Sequence, residues 1–297
     1  MSNALKGDVL IIISTLLACL GWFFSKEVLS SMSPLQFISL RFTCAGLILL
    51  LFCWRAFSVI KRQDIVPILT SSLFFTTGVT IWVFGMTYVT NMSVGAFILN
   101  ISFLLVPVIA VFFGERPSKL LWVSLPIVLL GLGCLFLENE FKIGFGEFLF
   151  MIAAVVFALF FILNGRLSKQ YATSVLVTSQ MLITGFCALV ASLFIETWSF
   201  DHAPSIWSIV VASILITSCL RFSIQTWGQS FASAGHASVL MTLEPVWVAI
   251  FSLLFFSQSM SPLQTIGCAL LFFAVVLSRS EPLWKKLRRS KVVVQTS

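Results

Sequence analysis

Ten stretches of roughly 20 apolar residues, separated by short polar breaks, run through this chain near 8 to 28, 34 to 54, 64 to 88, 92 to 113, 119 to 137, 147 to 164, 174 to 196, 206 to 228, 235 to 256 and 262 to 279. A helix needs about 20 such residues to cross the hydrocarbon of a bilayer, where only helices and closed barrels satisfy their own backbone. Charged residues make up 10% of the 297 positions, against roughly 25% in a soluble domain, and the mean hydropathy is +1.06. A β-barrel would show short alternating segments instead. The expected fold is an all-α polytopic membrane protein with ten transmembrane helices.

Lysine and arginine orient it. With the N-terminus inside, the cytoplasmic breaks receive Lys6, Arg55, Lys61, Arg62, Arg116, Lys119, Arg166, Lys169 and Arg279, together with the basic tail at 282–297 containing "WKKLRRSK". Only Lys142 and Lys26 fall outside. This bias predicts both termini on the cytoplasmic face of a cell membrane, expected to be a bacterial inner membrane. The net charge of +7 is therefore read as topology, with membrane lipid and no nucleic acid as partner. The first span, despite a loose cleavage-like "TLLAC", continues through "LGWFFS" and is expected to stay. Seven scattered cysteines without a CxxC or Cys/His cluster imply packing, with no metal and no cofactor. No GxxxxGK[ST] loop is present to hydrolyse ATP.

Sliding the chain on itself by about 138 residues pairs spans one to five with six to ten. Pro107 then falls on Pro245, and Arg41 falls near Gln180. Five crossings per half force opposite orientations, so the predicted plan is two inverted five-helix repeats, 1–140 and 141–281. Such repeats are a recurrent design of secondary transporters, with the site between the halves. "GWFFSKEVLSSMSPLQFISLRFTCAG" (21 to 46), "FLLVPVIAVFFGERPS" (103 to 118) and "IQTWGQSFASAGHASVLMTLEPVWVAIFSLL" (224 to 254) resemble the EamA family of the drug/metabolite transporter superfamily. The resemblance implies ten helices around a central cavity and transport, often export, of amino acids or other small metabolites. Two departures from the family pattern are Ala18 and Cys19 for Trp-Gly, and Ser257 and Gln258 for Gly-Glu.

Charge within a span is rare and marks a partner or a wet cavity. Arg41, Arg221, Glu244, Lys26 and His236 are therefore candidates. Glu244 precedes Pro245, which removes a backbone hydrogen bond and bends the helix; Pro107 is its counterpart. Glu244 is read either as a proton-coupling carboxylate or as a lock to Arg221, with the lock slightly ahead. Arg41 is expected as a lock near the membrane edge. Thr217, Arg221 and Gln225 form a stripe drifting by about 40° per step. The guanidinium of Arg221 suits an anionic group on a substrate, carboxylate-bearing or zwitterionic. Trp22, Trp82 and Trp227 are candidate cavity walls, whereas Trp247 is expected to pack or face lipid. Thr80, Asn100 and Asn164 are further polar candidates, and Ser72 and Thr87 are read as packing hydroxyls. No catalytic constellation stands out: the chain has two histidines and eleven scattered acids. The expectation is a secondary transporter, not an enzyme; a membrane-embedded lipid or nucleotide-sugar enzyme and a metabolite channel are the alternatives.

Overall fold

The structure is a computed structural model that describes residues 3–89, 92–136, 144–256 and 260–279. Expectations resting on Lys142, Ser257, Gln258 and the tail at 282–297 lie outside the described residues. The helices are α1 Asn3–Leu29, α2 Pro34–Cys53, α3 Arg62–Tyr88, α4 Met92–Phe112, α5 Lys119–Phe136, α6 Phe145–Leu167 and α7 Thr173–Ile195. They continue as α8 Pro204–Ala212, α9 Arg221–Gln229, α10 Ala234–Met241, α11 Glu244–Phe256 and α12 Pro262–Arg279. A 3-10 segment, Trp54–Val59, follows α2, and a π-helical segment, Ser213–Leu220, joins α8 to α9. Among the described residues, nine helical stretches are long and apolar enough to cross a membrane, and Pro262–Ser278 is a shorter apolar one.

The outer surface is apolar, the reverse of a soluble protein. Phe112 and Phe194 are 86% and 85% exposed, which is stable only where hydrocarbon replaces water. Inside, α2 lies along α7, α3 packs on α6 and α7, α4 on α6 and α10, and α5 on α12. Helix α1 runs against α9, the π-helical segment, α10 and α11. Two large clusters of buried side chains result, with a third, small one around Ile68, Leu167, Val175 and Leu176. One joins α1, α4, α5, α6 and α10 to α12, and the other joins α2, α3, α7 and the α8 to α9 stretch.

Because lipid tails are as apolar as leucine, helices here associate through close packing and polar contacts. Gly185 on α7 meets the backbone nitrogen of Thr43 on α2, leaving no room for a Cβ. The start of α2 is satisfied from α7 as well. Leu35 N and Gln36 N donate to Glu196 Oε1 and Oε2 at 3.0 and 2.9 Å, placing a carboxylate on the positive end of a helix whose first position is Pro34.

Prolines act differently in different helices. α3, α4 and α5 continue through Pro67, Pro107 and Pro126. The ninth apolar stretch breaks at Thr242 and Leu243, between α10 and α11, just before Glu244 and Pro245. The amide hydrogen missing at Pro245 is the one that would bond Met241 O in a continuous helix. Tight turns replace it, with Thr242 N donating to Val239 O and Leu243 N to Leu240 O at 3.2 and 3.1 Å.

Gly185→Ala is expected to cost about 1 to 3 kcal/mol, the usual size for overpacking a close contact. Thermal unfolding in detergent reads it as a lowered midpoint, and an unchanged midpoint would contradict the tight α2 to α7 crossing.

Candidate functional site

Between the two large clusters lies an open cavity of about 850 Å³, counting the solvent space at its mouth. Its walls are mostly aromatic: Phe42 from α2, Phe75 and Trp82 from α3, Phe103 from α4, Phe157, Phe160 and Phe161 from α6, and Phe222 from α9. The polar lining is short: Arg41, Asn100, Ser102, Arg221, Gln225 and Glu244, with the indole of Trp22. Two guanidiniums and one carboxylate thus share an apolar chamber.

Glu244 is 7% exposed and sits in the first turn of α11, directly after the break. Its Oε1 accepts a 2.6 Å hydrogen bond from Trp22 Nε1 on α1. Its Oε2 lies 3.9 Å from Arg221 Nη2, an electrostatic approach too long for a hydrogen bond. The Trp22 ring meets Trp82 edge-on at 5.9 Å, so α1, α3 and α11 are joined through one indole.

Arg41 is 4% exposed and is held entirely by neutral oxygens. Nε donates to Ser218 Oγ at 2.7 Å, Nη2 to Thr217 Oγ1 at 2.8 Å and Nη1 to Ser25 Oγ at 3.3 Å. The π-helical segment supplies both Thr217 and Ser218; such segments are frequent at functional sites because they re-aim side chains. Each of the three nitrogens of Arg41 therefore has an oxygen partner, with no countercharge among them. The guanidiniums flank a ring pair. Arg41 Cζ is 5.2 Å from Phe42, Arg221 Cζ is 4.4 Å from Phe222, and the two rings are 6.4 Å apart.

Three cavity-lining residues keep buried atoms without a partner: Arg221 Nε, Asn100 Oδ1 and Gln225 Oε1. Asn100 is oriented by Nδ2, which donates to Ala96 O at 2.8 Å, so its carbonyl oxygen is the free end. Leaving such atoms unpaired costs about 1 to 3 kcal/mol each.

The sequence profile of the EamA-like transporter family matches residues 5–137 and again 144–280. The chain belongs to the EamA-like transporter family. As a family member it is similar to an uncharacterised transporter of Archaeoglobus fulgidus, 24% identical over 252 residues covering 85% of this chain and 79% of that protein. It is also similar to the chloramphenicol-sensitive protein RarD of Pseudomonas aeruginosa, 23% identical over 212 residues covering 71% of this chain and 69% of that one. A solved crystal structure shares the fold, with a TM-score of 0.80 at 18% identity over 94% of this chain and 98% of the other.

In this EamA-like chain the predicted residues divide. Trp22, Trp82, Asn100, Arg41, Arg221, Gln225 and Glu244 meet at the cavity. Trp227 does not line it: the ring is 42% exposed and lies under the Lys6 ammonium at 4.3 Å. Asn164 is buried in a separate amide network, donating to Gln229 Oε1 at 2.6 Å and accepting from Gln180 Nε2 at 2.8 Å. His236 Nε2 pairs with Asp8 Oδ1 at 3.1 Å, joining α10 to the start of α1. Lys26 is exposed, and Thr80 is half-buried outside the cavity lining. Ser72 and Thr87 donate to the carbonyls of Ile68 and Val83 within α3. Trp247 packs on the core with Nε1 donating to Thr15 Oγ1 at 2.9 Å. Sequence reasoning missed the phenylalanine walls, since 31 phenylalanines offer no way to choose. It also missed Asp8, Glu147 and Glu196. Glu147 carried a signal, as the third residue of a helix start whose carboxylate accepts from Gly144 N at 3.0 Å.

Trp22→Phe is expected to lower stability by about 0.6 to 1.7 kcal/mol, the range of interhelical hydrogen bonds in membranes. The phenyl ring keeps the apolar contact with Trp82 while Glu244 loses its donor. Thermal unfolding in detergent checks it, and a midpoint equal to that of the parent would mean the bond is not made.

Proposed function

We propose that this family member is a secondary active transporter that exports or exchanges amino acids or related small metabolites through the central cavity. The observation that carries this reading is the set of unmet atoms there. Arg221 Nε is a donor asking for an acceptor, and Asn100 Oδ1 and Gln225 Oε1 are acceptors asking for donors. A zwitterion answers both, its carboxylate on Arg221 and its ammonium on the two carbonyl oxygens. An apolar cavity with a few directed polar groups is the usual form of a small-molecule site.

Alternating access between two inverted repeats, 1–140 and 141–281, completes the proposal, with ten crossings and both termini in the cytoplasm. The family profile matching each half supports the repeat. So does the exchange of partners: α3 on α6 has its counterpart in α1 on α9, and α4 on α6 in α1 on α10 and α11. The polar clasps correspond too. Arg41 ties α2 to α1 and to the π-helical segment, and Gln180 ties α7 to α6 and α3 through Asn164 and Ser71. The lysine and arginine bias of the sequence supports the orientation.

Proteoliposomes preloaded with unlabelled amino acids and small metabolites are expected to take up labelled members of one class by saturable counterflow. Arg221→Gln is expected to weaken apparent affinity roughly tenfold to a hundredfold, the equivalent of one charged hydrogen bond. Unchanged affinity in folded protein would remove Arg221 from the site. Glu244→Gln is expected to abolish dependence on a pH gradient, and pH-driven uptake persisting in that variant would assign the proton elsewhere.

A further inference from the structure

A second concavity lies away from the central cavity, on the lipid-facing side where α3 and α7 meet the 3-10 segment Trp54–Val59. It is an open groove of about 470 Å³, counting the solvent space at its mouth, walled by Phe57, Ile60, Ile65, Leu69, Val175 and Ile183, with Ser179 beside them. Nothing of the chain fills it among the described residues. From Val175 to Ile183 it follows α7 for about 12 Å at 1.5 Å per residue. That is most of the depth of one leaflet, half of a hydrocarbon core about 30 Å thick.

The chain next to the groove's lining residues Phe57, Ile60 and Ile65 is basic. Arg55 near the start of the 3-10 segment, Lys61 just after its end and Arg62 at the start of α3 are all exposed. One acid stands among them, Asp64, and its carboxylate is engaged inward: Oδ2 accepts from Lys61 N at 2.9 Å and Oδ1 from the Tyr171 hydroxyl at 3.1 Å. Trp54, 62% exposed with the Arg55 guanidinium 5.3 Å from its ring, marks the level where amphipathic rings sit at the membrane interface. Cations at headgroup height above an apolar slot of leaflet depth match one molecule in both charge and shape.

We propose that this groove holds one acyl chain of an anionic phospholipid whose phosphate rests on Arg55, Lys61 and Arg62. The site needs only that these helices span a bilayer, and it is independent of the transported substrate. Basic pockets between transmembrane helices favour anionic headgroups by a contribution from each cation. The uncharged wall below supplies affinity without headgroup preference.

Native mass spectrometry of the full-length protein in detergent tests this, titrating phosphatidylglycerol against phosphatidylcholine with identical chains. Phosphatidylglycerol is expected to bind tighter by roughly tenfold to a hundredfold, the equivalent of two to three surface cations. R55Q/K61Q/R62Q is expected to erase the preference while leaving folding intact, since the three side chains are exposed. S179F, or I65W on the exposed rim if the first variant does not fold, is expected to weaken both lipids equally. Equal binding of the two lipids by the parent protein, a preference that survives the triple substitution, or groove-filling variants without effect would each overturn the proposal.

Discussion

In hydrocarbon a polar group has no water to turn to, and the whole arrangement of this protein follows from where its few buried polar groups find partners. The densest seam runs along α1. Asp8 pairs with His236, Ser14 with Met241 Sδ at 3.7 Å, Thr15 accepts from Trp247, and Trp22 donates to Glu244. Four contacts, two on α10 and two on α11, stitch one helix across the break in its neighbour. Interhelical hydrogen bonds in membranes average about 0.6 kcal/mol each, so such a seam holds α1 in register yet can part without a prohibitive barrier. For a helix pair that must open in the proposed cycle, many weak stitches suit better than one strong one.

The break itself has a physical logic that joins fold to site. Ending α10 at Met241 and restarting at Glu244 puts a carboxylate in the first turn of α11, where the exposed amide dipoles favour negative charge. The same interruption brings Glu244 to the cavity wall beside Arg221. The π-helical segment does the corresponding service on the other side, presenting Thr217 and Ser218 to Arg41. Both irregularities sit where backbone departs from the helix at membrane depth, which is tolerated inside protein or along a cavity and not against lipid.

Much of this was legible from sequence because hydrocarbon imposes a long-range rule on composition. Apolar length marked the helices, and charge within a span marked Arg41, Arg221 and Glu244, three groups that share one cavity. Less was legible where the outcome depends on neighbours. Four prolines, Pro67, Pro107, Pro126 and Pro245, lie within apolar stretches beyond their first residue, yet only the stretch at Pro245 breaks, while α3, α4 and α5 run on through theirs. Pro107 packs against Gly235 of α10, a supported position that periodicity does not reveal. Trp227 and Asn164 have the same residue chemistry as Trp82 and Asn100, and periodicity does not separate them: Asn164 shares a helical face with the cavity-lining Phe157, Phe160 and Phe161 and lies about a turn further along, in the amide network. The eight-residue π-helical segment left no mark on composition.

The two corresponding clasps differ in one respect that bears on the direction of the proposed cycle. Gln180 bonds its neighbours through a neutral amide, whereas Arg41 does so with a full charge and only neutral oxygens around it. With Arg221 and Glu244 taken as a loose pair, the cavity keeps a net positive charge when empty. In the proposed cycle, closing it empty removes the remaining cavity water from that charge with no carboxylate to balance it, and a buried ion without a countercharge carries a penalty of several kcal/mol. A bound carboxylate neutralises the cavity, and a zwitterion places its negative end where the field is favourable. Closure is therefore easier with substrate aboard than without it. On the proposed function, a carrier built this way returns with a carboxylate aboard more readily than empty, which favours exchange over one-way release unless a proton or other ion alters the charge of Glu244.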